Sequence, residues 1–156
     1  MEPDRGHFVA AEQGRGVDLG VIRMTLKAAR QETGGAFTLA EFAGTEGPWT
    51  VPHLHRQMTE SFYILDGAFS FRCGQDQFEA GPGSYVLVPP GTVHVMEALA
   101  GGGRFLTFMV PGGLEDMFIE LGELPPDSLR DPEVRGAIAA KHDSVPAELP
   151  ARSPNA

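Results

Sequence analysis

GPWTVPHLHRQMTESFYILDG, running from Gly47 to Gly67, holds two histidines, a carboxylate and an alternating apolar run. His53 and His55 stand at i and i+2, so in extended backbone both imidazoles leave the same face. Pro52 disfavours helix at Val51 and supports that extension. The polar connection from Arg56 to Thr59 can fold the chain back as a hairpin. On the returning strand Glu60, Phe62 and Ile64 share one face, and Ser61, Tyr63 and Leu65 share the other. One face therefore carries a carboxylate followed by apolar groups, as the wall of a lined cavity should. Gly67 is expected to permit a tight turn.

Outward from this stretch the chain reads as strand, turn, strand. VIRMTLKAA alternates apolar and polar residues, and AFTLAEFA follows after Thr33-Gly34-Gly35. WTVPHLH, ESFYILDG, AFSFRC, DQFEA, SYVLVP, VHVMEA and RFLTFMV continue the pattern, separated by turns such as Gly74-Gln75-Asp76 and Gly81-Pro82-Gly83. Gly101-Gly102-Gly103 precedes a strand, so it reads as a hairpin loop and not as a phosphate loop. Strands at this spacing without intervening helices predict an all-β fold, a single antiparallel β-barrel or jelly roll over residues 21–111. Residues 1–20 read as an N-terminal arm. Residues 112–143 read as C-terminal helices. In the first, Leu114, Met117, Phe118 and Leu121 recur at helical spacing; the second has Asp131 as N-cap and Pro132 at its first position. The first helix is placed either over the barrel mouth or on the outer sheet. Residues 144–156, rich in proline and small residues, read as a frayed tail.

The 156 residues amount to one domain, with a formal charge of −9. That charge, with no basic cluster, argues against nucleic acid and anionic membranes as partners. No apolar run reaches the roughly 18 residues that span a bilayer, and MEPDRGHFVA is not a signal peptide, so the expected location is the cytoplasm. The single Cys73 excludes an intramolecular disulfide and reads as a packed residue, not a nucleophile.

A fourth candidate ligand, His94, lies in GSYVLVPPGTVHVMEA, Gly83 to Ala98, where Pro89-Pro90-Gly91 sets the register of a short strand. Three imidazoles and a carboxylate suit a divalent first-row transition metal and leave coordination positions open. The residues alone leave two readings open, a metal site or surface histidines. His7 and His142 lack such a context and read as solvent histidines.

The spacings add a resemblance. Gly47, His53, His55, Glu60 and Gly67 match the first motif of the cupin superfamily; Gly83, Pro89, Gly91 and His94 match the second, with Ala98 where the family has Asn. Within that superfamily, TGGAFTLAEF and MVPGGLEDMF resemble single-domain quercetin-dioxygenase-like proteins. The resemblance implies that His53, His55, Glu60 and His94 hold one iron, manganese, nickel, cobalt, copper or zinc ion inside a small barrel. It also implies a metal-dependent oxidoreductase, dioxygenase-like, acting on a small aromatic or enol-type molecule, with Glu60 as a catalytic proton acceptor. The alternatives are a non-oxidative isomerase, cyclase or lyase using the ion as Lewis acid, and a non-catalytic binding cupin. Phe62, Ile64, Met96, Met24, Trp49 and Phe108 are the expected pocket residues. A homodimer is expected, as small cupins commonly self-associate.

Overall fold

The computed structural model describes residues 5–152. Its elements are β1 (Arg15–Asp18), β2 (Ile22–Ala28), α1 (Arg30–Thr33), β3 (Thr38–Gly44), β4 (Gly47–Pro48), β5 (His53–Leu54), β6 (Thr59–Cys73), β7 (Asp76–Ala80), β8 (Tyr85–Val88), β9 (His94–Val110), α2 (Glu115–Gly122), α3 (Pro126–Arg130), α4 (Pro132–Lys141) and β10 (Val145–Pro146). Every strand pairing is antiparallel, in the order β1-β2-β3-β9, with β6 along β9 and both β7 and β8 on β6. The sheet is not strictly closed, and the arrangement is jelly-roll-like.

Strands β6 and β9 form the spine, paired from Thr59 opposite Val110 to Cys73 opposite His94. Two expected breaks are absent here. Gly67 does not turn the chain back, and Gly101-Gly102-Gly103 is not a hairpin loop; both lie inside continuous strands. The register shifts between Gly67 and Phe69, where residues 99–102 of β9 bulge out of the ladder. Gly67 has φ of 71°, and a Cβ there would stand 2.2 Å from the Gly102 carbonyl oxygen. Close approach of two backbones, not a reversal, is what demands glycine. The bulge separates the part of β9 that pairs with β4 and β5 from the part that pairs with β3.

The expected strand WTVPHLH shrinks to the two residues of β5, because Pro52 brings no N–H to a ladder. Its lead-in is still tied down: the Trp49 and Thr50 amides both donate to the Met96 carbonyl. The core within the sheet is aromatic. Phe105 packs on Phe42, Trp49, Phe62 and Phe69 with ring centroids 5.0–5.6 Å from its own or from one another. Such stacked, tilted and edge-on pairs add about 0.5–1.5 kcal/mol each beyond area burial.

Helix α2 settles its placement through Leu114, Met117, Phe118 and Leu121, which turn toward the sheet interior. Phe118 meets Phe42 edge-on at 5.1 Å. The helix is pinned by Glu115, 1% exposed, whose carboxylate accepts from the Arg30 and Gly113 amides and from the Thr38 hydroxyl. In α4, the Asp131 side chain caps the Glu133 amide and Pro132 takes the first position, as expected from the sequence.

The C-terminal segment departs from expectation. Val145 and Pro146, read from sequence as part of a frayed tail, pair with Leu54 and His53 of β5, and the Ala147 amide donates to the Pro52 carbonyl. The strand that carries the histidine pair has an open edge, and the tail covers it. Residues 1–4 of the expected arm and 153–156 of the expected tail lie outside the described residues. No helix among the described residues is long and apolar enough to cross a membrane.

Candidate metal centre

His53 is the point where β5 touches β9, directly opposite His94. The three imidazoles of His53, His55 and His94 and the Glu60 carboxylate converge, each offering a ligand atom within 4.8 Å of all the others. Ligands about 2.1 Å from a shared ion lie within roughly 4.2 Å of one another, so small side-chain rotations suffice to seat one. Each ring is oriented from behind. Nδ1 of His53 faces the Val51 carbonyl at 2.7 Å, Nδ1 of His55 the Asp143 carbonyl at 2.8 Å, and Nδ1 of His94 the Thr92 carbonyl at 3.0 Å. A carbonyl can only accept, so Nδ1 carries the proton and Nε2 is the nitrogen presented inward.

Glu60 closes the group. Its Oε2 lies 3.2 Å from Nε2 of both His55 and His94. Burial would raise the Glu60 carboxyl, but hydrogen bonds from His55 and His94, made when a ring carries a second proton on Nε2, overcome it and hold the group below the usual carboxylate range. Burial lowers His55 as well; the hydrogen bond and charge of Glu60 outweigh that and raise it. Burial and then the neighbouring His94 bring His53 down to about 4, so it is neutral near pH 7. A buried anion ringed by imidazole nitrogens calls for positive charge, which either a proton or a divalent cation supplies. The donor set therefore fits a first-row transition ion.

The group opens into a cavity of about 470 Å³. Trp49, Phe62 and Met96 line it, as do Phe42 and Phe105 of the sheet and Leu114, Met117, Phe118 and Leu121 of the helical cap. Three expected pocket residues lie elsewhere. Ile64 and Met24 are fully buried in the core and do not reach the wall. Phe108, 39% exposed, stands on the outer face of the sheet against Phe37. His142, expected in solvent, is half-buried and bonds Glu120 at 2.8 Å. His7 is exposed and reaches the Lys27 carbonyl.

Residues 41–110 match the family model described as Cupin domain, and this span contains all four converging residues. The barrel is a cupin domain. The chain is similar to quercetin 2,3-dioxygenase of Bacillus subtilis, 31% identical over 96 residues, covering 62% of this chain and 28% of that protein. It is similar also to quercetin 2,3-dioxygenase of Aspergillus japonicus, 30% identical over 112 residues, covering 65% of this chain and 31% of that protein. The chain thus spans less than a third of the length of either relative. In fold the cupin is similar to KdgF from Halomonas sp., with a TM-score of 0.63 at 20% identity, covering 72% of this chain and 99% of that one.

Reading the sequence missed what the C-terminal segment brings to the cupin site. Asp143, at φ 58°, turns its carbonyl to His55, while its carboxylate accepts from the Arg56 and Gln57 amides at 2.9 and 3.0 Å. Arg130, Pro132, Arg135, Gly136, Ala139, Ser144 and Pro146 complete the cavity wall. One signal for α4 was present in the sequence: Pro132, Arg135, Gly136 and Ala139 recur at i, i+3, i+4 and i+7, a single helix face.

Proposed function

We propose that this chain is a metal-dependent cupin enzyme of dioxygenase type, acting on a small aromatic or enol-type molecule. The observation that carries the reading is the buried His53, His55, His94 and Glu60 group opening into a largely apolar cavity of about 470 Å³. The similarity of 62–65% of the chain to quercetin 2,3-dioxygenases supports it. His53, His55, His94 and Glu60 would hold one divalent transition ion, which supplies Lewis acidity toward a hydroxyl or enolate and, if redox-active, a route for oxygen. The residues do the rest. Trp49, Phe62, Met96 and Phe105 flank a planar apolar body, and Met117, Phe118 and Leu121 of α2 exclude water above it. Glu60 is the one carboxylate lining the cavity among the described residues, which makes its Oε atoms the acceptor for a substrate hydroxyl proton.

The test is oxygen uptake by metal-loaded protein with flavonols and simpler enols, under air and anaerobically. Oxygen consumed in step with substrate supports the reading. Substrate converted equally well without oxygen replaces it with a Lewis-acid isomerase or lyase. We propose self-association as well, supported by Tyr63, Tyr85, Leu87, Phe108 and Val110, which stand exposed on one outer sheet face. Light scattering that returns the monomer mass of 16.7 kDa at micromolar concentration would refute it.

A further inference from the structure

Helix α4 turns two different faces inward. Val134, Ile138 and Ala139 pack against the apolar core, and Ala139 with Gly136 and the exposed Arg135 lines the cavity. Glycine in mid-helix is unfavourable, and Gly136 has no positive φ to explain it. A Cβ built on it meets nothing within 4 Å, so packing does not demand glycine either. What its missing side chain leaves is open cavity.

Beside it, Arg135 has no hydrogen-bond or ion-pair partner for its side chain among the described residues. Arg130, also on the wall, has a single carboxylate contact, to exposed Asp127 at 3.5 Å. Against these two cations the wall holds one acid, Glu60, already engaged by His55 and His94. The chain as a whole carries −9, so a cationic mouth on an apolar cavity runs against its general charge.

We propose that this cavity selects an organic anion: an apolar, ring-sized body held beside Gly136, with a carboxylate read by Arg130 and Arg135. The guanidinium forks match a carboxylate's two oxygens, and an apolar wall rejects small inorganic anions. The inference deepens the proposed function and rests on that reading of the cavity as the substrate site. It makes Arg130, Arg135 and Gly136 specificity-determining residues.

The test is calorimetric titration with 6-hydroxy-2-naphthoate and its neutral counterpart 2-naphthol, on zinc-loaded and on metal-free protein. Zinc is redox-inert, so no turnover is needed, and the readout is separate from oxygen uptake. The acid is expected to bind about tenfold more tightly than the naphthol, the value of one charge-assisted pair. That preference is expected with and without zinc, because the arginines belong to the chain. Arg130→Met/Arg135→Met should abolish it without weakening 2-naphthol, Arg130→Lys/Arg135→Lys should retain part of it, and Gly136→Leu should weaken both ligands by filling their space. Equal binding of acid and naphthol by the unaltered protein, binding of neither, a preference surviving in the methionine variant, or unchanged binding in Gly136→Leu would each overturn the proposal. A failure of oxygen uptake alone would overturn the dioxygenase reading and leave this one standing.

Discussion

His53 and His94 face each other across the β5–β9 ladder as direct register partners, their ring centroids 4.2 Å apart. The whole of β6, β7 and β8 separates them in sequence, yet one backbone pairing brings them together. If both belong to one metal site, His94→Ala should reduce transition-metal content from about one ion per chain to a small fraction of that, and His53→Ala/His94→Ala should abolish it. Elemental analysis after purification in metal-supplemented medium reads this directly. Stoichiometric metal in the double variant would dismiss the assignment.

Asp143 gives a second and subtler expectation. Its carbonyl orients His55, and its carboxylate holds the two amides that follow that histidine. Losing an outer partner of a metal-binding histidine typically lowers metal affinity about 10–100-fold. Asp143→Ala should do so in a zinc-competition titration, because alanine neither caps those amides nor favours a φ of 58°. Asp143→Asn, which tolerates that φ and keeps one acceptor, should recover most of the loss. A purely structural role would lower stability in both variants with zinc affinity unchanged.

Strand parity made much of this legible in the sequence. It placed His53 with His55, and Glu60 with Phe62, because side chains alternate strictly along extended backbone. Parity tells a face but not a depth. Ile64 shares the inward face with Phe62 yet lies deeper, in the core, as Met24 does; Phe108 falls on the opposite face. The glycine run at 101–103 has the composition of a loop, and only its neighbour across the ladder, Gly67, shows it to be a bulge. The C-terminal strap was illegible for a different reason. Val145–Pro146 has no period of its own and becomes a strand because β5, about ninety residues earlier, offers it an edge.

Glu115 should be the most expensive polar residue to remove outside the metal group. It is almost fully enclosed and satisfied by two amides and the Thr38 hydroxyl, tying α2 to the start of β3. Glu115→Ala strands those donors and should cost about 2–4 kcal/mol, a drop in Tm of roughly 5–12 °C. Glu115→Gln, which keeps an acceptor oxygen, should cost less. Denaturant melts of the metal-free protein measure both, and a loss below about 0.5 kcal/mol for the alanine variant would show that the enclosure relaxes.

Cys73 lends itself to a pH experiment. Burial first, then the negative charges of Asp76 and Glu60, push its thiol up to about 11 from an ordinary 9.0. Thiolate is the reactive form, so at pH 8 iodoacetamide should alkylate the folded protein roughly 100-fold more slowly than the urea-unfolded chain. The gap should close as pH approaches 11. The same shift has a sign for stability. The folded state favours the protonated thiol, so its contribution is complete below pH 9 and is lost as pH rises from there through 11. Cys73→Ala should therefore lose less stability than the unaltered chain over that interval, and be indistinguishable in slope below it. Fast alkylation at pH 8 would mean the thiol is open to solvent and the burial argument fails.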